Sequence, residues 1–140
     1  MDKKSLFKTL SFTGSVEVIG LGDRIAGNHS VVLLKKPEKM LVMLKVRESA
    51  CNSLFYAGEA LACACTVRIG DIKGFAACLG DDTDKVYAMA VIDAALNAGL
   101  PERDIILESL RAWEEDILRK QSVEAELTMS TKVNFSVMEE

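Results

Sequence analysis

The most constraining stretch of this chain is VYAMAVIDAAL, Val86 to Leu96, where only Tyr87 and Asp93 carry polar side chains. Its borders read as helix ends. Asp82 or Thr83 can cap the N-terminus, Asp84 sits favourably in the first turn, Gly99 closes the helix and Pro101 follows. A helix over about Thr83 to Ala98 is therefore expected. A helix apolar nearly all round must be covered on more than one side. In a chain of 140 residues, one of those sides is expected to belong to another protein.

What precedes that helix is strand-like. Leu61, Cys63, Cys65, Val67 and Ile69 alternate with Ala62, Ala64, Thr66 and Arg68, the period of a strand. Gly70-Asp71 is a two-residue hairpin signal, and Ile72 to Leu79 returns beside the first strand. Upstream, Val31 to Leu34 and Met40 to Val46 are two apolar runs separated by Lys35-Lys36-Pro37-Glu38-Lys39, a hairpin-length turn. The second run is nearly continuous, as for a central strand covered on both faces. Arg47 to Asn52 is a polar connection.

Helices are expected at both ends. Lys3 to Thr13 carries Leu6, Phe7 and Leu10 on one side, and Val16 to Gly27 follows a break at Thr13-Gly14-Ser15. Gly20 and Gly22 weaken this second helix by about 1 kcal/mol each relative to Ala. After Pro101, the stripe Ile106, Leu110, Trp113 and Ile117 marks a helix running to near Thr128, with an apolar-containing tail beyond, at about 129–140. The expectation is one α+β domain over residues 1–140. It has an antiparallel sheet of about four strands, a buried helix on one face and further helices at both ends.

Composition narrows the function. The chain is 49% hydrophobic with a net charge of −4, and a mean hydropathy of +0.16 hints at a buried interface. The acidic balance argues against nucleic acid as the main partner, because duplex binding needs several Lys or Arg on one face. The N-terminus lacks the apolar core of a signal peptide, and no run approaches the length of a membrane span. A cytoplasmic protein with no membrane partner is expected. Its four cysteines, Cys51, Cys63, Cys65 and Cys78, would then be reduced.

Candidate chemistry is thin. Cys63 and Cys65 share a strand face and suit either a metal or the core, with the core favoured because no second ligand pair stands at metal spacing. They nevertheless define an alternative reading, a stand-alone thiol or metal-binding domain. His29, the single histidine, sits in a glycine-asparagine turn expected to be exposed, and meets Cys51 only if the fold brings them together. Asp93 on an apolar helix needs a partner, and Arg47 and Arg68 are the nearest candidates. Glu59 and Asp93 would share acid–base work only if burial pushed them apart in pKa. Ser53, Tyr56 and Glu59 cluster in a turn-rich stretch. Gly20 to Gly27 is a poor phosphate loop, with no preceding strand and no GKS or GKT.

Three blocks in order carry a resemblance: VRESACNSLFYAGEALACACTVRIG from Val46, GDDTDKVYAMAVIDAALNAG, and the terminal TKVNFSVM. Together they resemble the PhnG family, the smallest core subunit of the bacterial carbon–phosphorus lyase system. The match includes Phe55, Tyr56, Gly58 and Glu59, the Ala90 to Gly99 helix, and the tail from Thr131 to Met138, with Val137 where Thr is more usual. It runs from about Val31 to Met138; the first thirty residues resemble the family in layout only.

The resemblance implies an accessory subunit of a multi-subunit transferase. That complex replaces the adenine of MgATP with a phosphonate, releasing adenine and forming a ribose 1-phosphonate 5-triphosphate. Nucleosidase chemistry belongs to the large I subunit, and the iron–sulfur and S-adenosylmethionine chemistry to the J subunit. The expectations for this chain are therefore no catalytic residues, no metal and no cofactor of its own, with MgATP a substrate of the complex. The partners are other subunits, chiefly the large I subunit, with a homodimer left open. Phe55, Tyr56, Glu59, Val133, Asn134, Phe135 and Met138 are the expected partner-binding residues.

Overall fold

The computed structural model describes the backbone of residues 2–139 and the side chains of residues 2–127. Two helices, α1 (Lys3–Phe12) and α2 (Ser15–Asn28), precede the strands β1 (Val31–Arg47), β2 (Leu54–Ile69) and β3 (Ile72–Leu79). Helices α3 (Thr83–Ala98) and α4 (Arg103–Glu139) follow. The strands form one antiparallel sheet in the order β1-β2-β3. The architecture is α+β, with three strands where about four were expected.

The missing turn explains the difference. Lys35 to Lys39 lies inside β1, which runs unbroken from Val31 to Arg47. Between the pairs Lys35↔Thr66 and Glu38↔Ala64, β1 supplies Lys36 and Pro37 against Cys65 alone, so Pro37 is absorbed in a bulge. β1 is also an edge strand, where a residue without an N–H leaves its outward side unharmed. The Met40 to Val46 run is consequently an edge segment and not a central strand covered on both faces. Likewise β2 begins at Leu54, so the stretch around Tyr56 and Glu59 is strand and not turn.

α3 has the expected ends. The Asp82 carboxylate accepts the Lys85 N–H at 3.1 Å, and Gly99, in the left-handed region, returns its N–H to Ala95 and Leu96. From Lys85 to Ala95 every residue except Tyr87 is buried. The cover comes from this chain: the sheet lies on one side of α3, α2 lies on another and α4 touches it as well. The core joins Val86, Met89, Val91 and Ile92 of α3 to Val18, Leu21 and Ile25, to Leu6 and Leu10, and to Ile106 and Leu110. The side of α3 assigned to a partner is thus occupied from within.

Two glycines let α3 come this close. A Cβ on Gly74 would overlap the Ala90 carbonyl and the Ala94 amide, and would stand 2.6 Å from the Ala94 Cβ. A Cβ on Gly22 would stand 2.6 Å from that of Ala88. Gly22 weakens α2 as a helix but makes its contact with α3, which the helix-propensity argument misses. Lys85 is buried where the chain leaves α1, and its ammonium donates to the carbonyls of Ser11 (2.9 Å) and Thr13 (2.8 Å).

Asp93 is structural, but its partner is neither arginine. The carboxylate accepts the Phe75 N–H at 3.1 Å and the Lys3 ammonium at 2.6 Å. Asn97 donates to the Lys73 carbonyl at 3.1 Å. Two α3 side chains therefore satisfy the outer edge of β3, and Lys3 locks both, since it also reaches Asn97 at 2.7 Å. Capping an edge in this way blocks strand addition at that point. Arg47 instead bonds Asn52, and Arg68 lies opposite Lys73, with its Nε buried and without a partner among the described residues.

Candidate docking surface

β3 pairs with β2 only between Ala62 and Ile69. Beyond it, Leu41 to Arg47 of β1 and Leu54 to Leu61 of β2 continue as a two-stranded arm. A lone two-stranded hairpin is marginally stable in water. This one is held by local contacts. At its tip the Glu48 N–H donates to Ser53 at 2.8 Å, and Arg47 reaches the carbonyl and side-chain oxygens of Asn52 at 3.2 Å. Lys45 lies over the Tyr56 ring, 5.4 Å from its centre.

The arm is apolar on both faces. Leu41 faces Leu61, with Met43 beside them, and Val42 and Leu44 line the reverse side. Leu41, Met43, Leu44, Val46, Leu54, Phe55, Tyr56 and Leu61 are all exposed. Soluble chains rarely show so continuous an apolar surface unless another surface covers it.

Three of the expected partner-binding residues fall here. Phe55 is 48% exposed and Tyr56 58%, while Glu59 stands opposite Met43 and its carboxylate has no hydrogen bond or ion pair among the described residues. The other four, Val133, Asn134, Phe135 and Met138, lie outside the residues whose side chains are described. The helix expected to end near Thr128 is continuous to Glu139. Its buried stripe is Ile106 and Leu110, with Trp113 partly buried, whereas Leu118, Val123 and Leu127 are exposed.

The remaining candidates are dispersed. His29 is only 23% exposed, and its Nε2 lies 2.9 Å from both Glu102 oxygens. That bond holds the Glu102 carboxyl below the usual range. Cys51 sits exposed in the turn at the arm's tip, so no Cys–His pair forms. Asp93 is engaged under α1 and Glu59 stands on the arm, so they do not act together. Cys63 and Cys65 are fully packed in the core. Burial pushes the Cys65 thiol up to about 11, with the Cys63 sulfur adding to the effect. Burial raises Cys63 as well, and its thiol donates to the Asp82 carbonyl at 3.5 Å. No group of three or more His, Cys, Asp or Glu among the described residues is placed to hold a metal. The Gly20 to Gly27 segment is part of α2 and not a loop.

A groove of about 410 Å³ runs between the α1–α2 junction at Phe12 to Glu17 and the α4 side chains Trp113 to Glu124. It is mixed in charge, with Glu17, Asp116 and Glu124 against Lys120, and gathers none of the candidate residues. No described helix is long and apolar enough to cross a membrane.

The arrangement presents an exposed apolar arm on a helix–sheet base. A comparison with curated proteins returned no match. Residues 3–139 match the family model described as phosphonate metabolism protein PhnG, so the match also takes in the first helices, which resemble the family only in layout when read by eye. The chain belongs to the PhnG family of phosphonate metabolism proteins.

Proposed function

We propose that this chain is an accessory, non-catalytic subunit of the carbon–phosphorus lyase complex. It holds the large I subunit in its working arrangement during formation of a ribose 1-phosphonate 5-triphosphate from MgATP and a phosphonate, with release of adenine. It brings no cofactor of its own, and MgATP is a substrate of the assembly. The observation that carries this reading is the arm, an apolar ribbon paired to nothing beyond itself. The alternative, thiol or metal chemistry at Cys63 and Cys65, suffers from sulfurs shut into the core and a Cys65 thiol that resists deprotonation.

Fully burying a large apolar side chain is worth about 1.5–3 kcal/mol. Replacing Phe55 and Tyr56 together by Ser should therefore weaken association by at least roughly tenfold to a hundredfold. The test is co-expression with the large subunit, capture, and mass determination of the complex. The isolated chain should self-associate, co-expression should give a defined complex, and the double variant should lose it. A well-behaved monomer with no affinity for the large subunit would sink the proposal.

A further inference from the structure

α3 covers one face of the sheet, and no described element covers the other. The register defines that open face row by row: Met40–Ala62–Leu79, Glu38–Ala64–Ala77, Lys35–Thr66–Phe75 and Val32–Arg68–Lys73. Its floor is alanine. Ala62 and Ala64 are buried by their strand neighbours yet stand apart from the core cluster. Phe75, 52% exposed, and Leu79, 66% exposed, rise from β3 on that side.

The charge on this face runs against that of the whole chain. Arg68 and Lys73 are directly opposed across the β2–β3 pair, an unfavourable like-charge arrangement. Neither takes part in any ion pair among the described residues, and the Arg68 Nε is buried without a partner. The carboxylate on this face, Glu38, is turned to Lys35 at 3.9 Å. In a chain of net charge −4, this is a basic end on an apolar surface.

We infer that the open sheet face receives an apolar-sided helix of a partner protein that carries carboxylates over Arg68 and Lys73. Small residues on the floor admit a helix at close range, and a helix on each face of a sheet is a stable layering. The charge selects the occupant. A second copy pairing face to face would bring another basic surface, with no carboxylate on it beyond Glu38. A few cations interleaved with Phe75 and Leu79 do not make the phosphate-tracking row that nucleic acid requires. The face is also continuous with the arm through Met40 and Ala62, so one partner can engage both.

This inference rests on the accessory-subunit reading, so the test separates the two. The full-length chain and the large subunit are titrated by calorimetry at low and high salt. Wild type is compared with Lys73→Glu, Phe75→Ser and the arm variant Phe55→Ser/Tyr56→Ser. Lys73 is exposed, and its variant, which sets Glu opposite Arg68, should keep or slightly raise the melting temperature. Lys73→Glu should weaken binding at least tenfold at low salt and flatten the salt dependence; Phe75→Ser should weaken it at both salts. If both bind like wild type while the arm variant does not, the open face is not the docking face and the accessory-subunit reading stands. If wild type does not bind, both fall. If Phe75→Ser instead dissolves a homodimer of the wild-type chain, the occupant is a second copy and this inference is overturned.

Discussion

Asp93 offers the sharpest test of how this fold holds its sheet edge. Its carboxylate is almost fully buried, and it bonds the backbone N–H of Phe75 and the half-exposed ammonium of Lys3. Asp93→Ala would leave the Phe75 N–H without its acceptor, which costs about 1–3 kcal/mol for a buried donor. The ion pair adds little, about 0–1 kcal/mol, because Lys3 remains in solvent and keeps Asn97. The total is about 1–4 kcal/mol, or roughly 3–14 °C in melting temperature for a chain of this size. Asp93→Asn retains an acceptor for Phe75 and should lose only about 1 kcal/mol. Lys3→Met should cost no more than that. The assay is thermal and urea denaturation at low micromolar protein, with hydrogen exchange at the Phe75 amide. That amide should exchange faster in the Ala variant and near the native rate in the Asn variant. If Asn were as costly as Ala, the charge on Lys3, and not the backbone cap, would be the source of stability. If Ala fell within about 0.5 kcal/mol of wild type, a surface-like effect, the edge would not depend on Asp93 at all.

Three further outcomes follow from the same geometry. Gly74→Ala drives a methyl into the α3 backbone at Ala90 and Ala94, and should destabilise by about 1–3 kcal/mol or more in denaturant titration, whereas Gly20→Ala, with open space around it, should not. Acidification should lower the denaturation midpoint. Hydrogen bonds hold Asp2 and Asp82 below their ordinary values, through Ser5 for Asp2 and through Ser15 and Lys85 for Asp82; His29 does the same for Glu102. Their folded-state pKa values lie below the unfolded ones, so their contribution is full above the usual carboxylate range and is lost as pH falls through the lowered values. A midpoint flat from pH 6 to pH 3 would contradict this. In native labelling with a maleimide, Cys51 should react promptly, while Cys63 and Cys65 should react only on unfolding, read by mass spectrometry of digests.

How much of this is visible in the amino-acid order depends on how local the cause is. The ends of α3 are legible because Asp82 and Gly99 act on their own helix. The β2–β3 hairpin is legible because Gly70-Asp71 and period-2 alternation act over a few residues, and with that turn known, the opposition of Arg68 and Lys73 follows by counting. β1 is misread because Pro37 in a lysine-rich run looks like a turn. A bulge and the position of the strand at a sheet edge make Pro37 harmless, and no local pattern reports either. The partner of Asp93 is hidden for a similar reason, since Lys3 is ninety residues away in sequence. Ser53, Tyr56 and Glu59 read as a cluster in a turn-rich stretch, but the place of Tyr56 and Glu59 on a projecting arm depends on β3 ending at Leu79 while β2 and β1 continue.

The apolar helix shows what hydrophobic pattern can and cannot assign. A helix without a polar face must be covered, and that inference holds: from Lys85 to Ala95 every residue of α3 but Tyr87 is buried. Periodicity does not say who covers it. Here α1, α2, α4 and the sheet do so, using up the apolar stripes of the terminal helices. The surplus that a mean hydropathy of +0.16 implies must then be found elsewhere. It lies on elements that look half-buried by their own pattern but have one neighbour too few, namely the edge strand β1, the unpaired length of β2, and the outward residues of β3. A partner that adds a layer there would complete the sheet as α3 completes its other face. The docking surface of this chain is therefore best sought on its strands, where cover is missing, and not on its most hydrophobic helix, where cover is already complete.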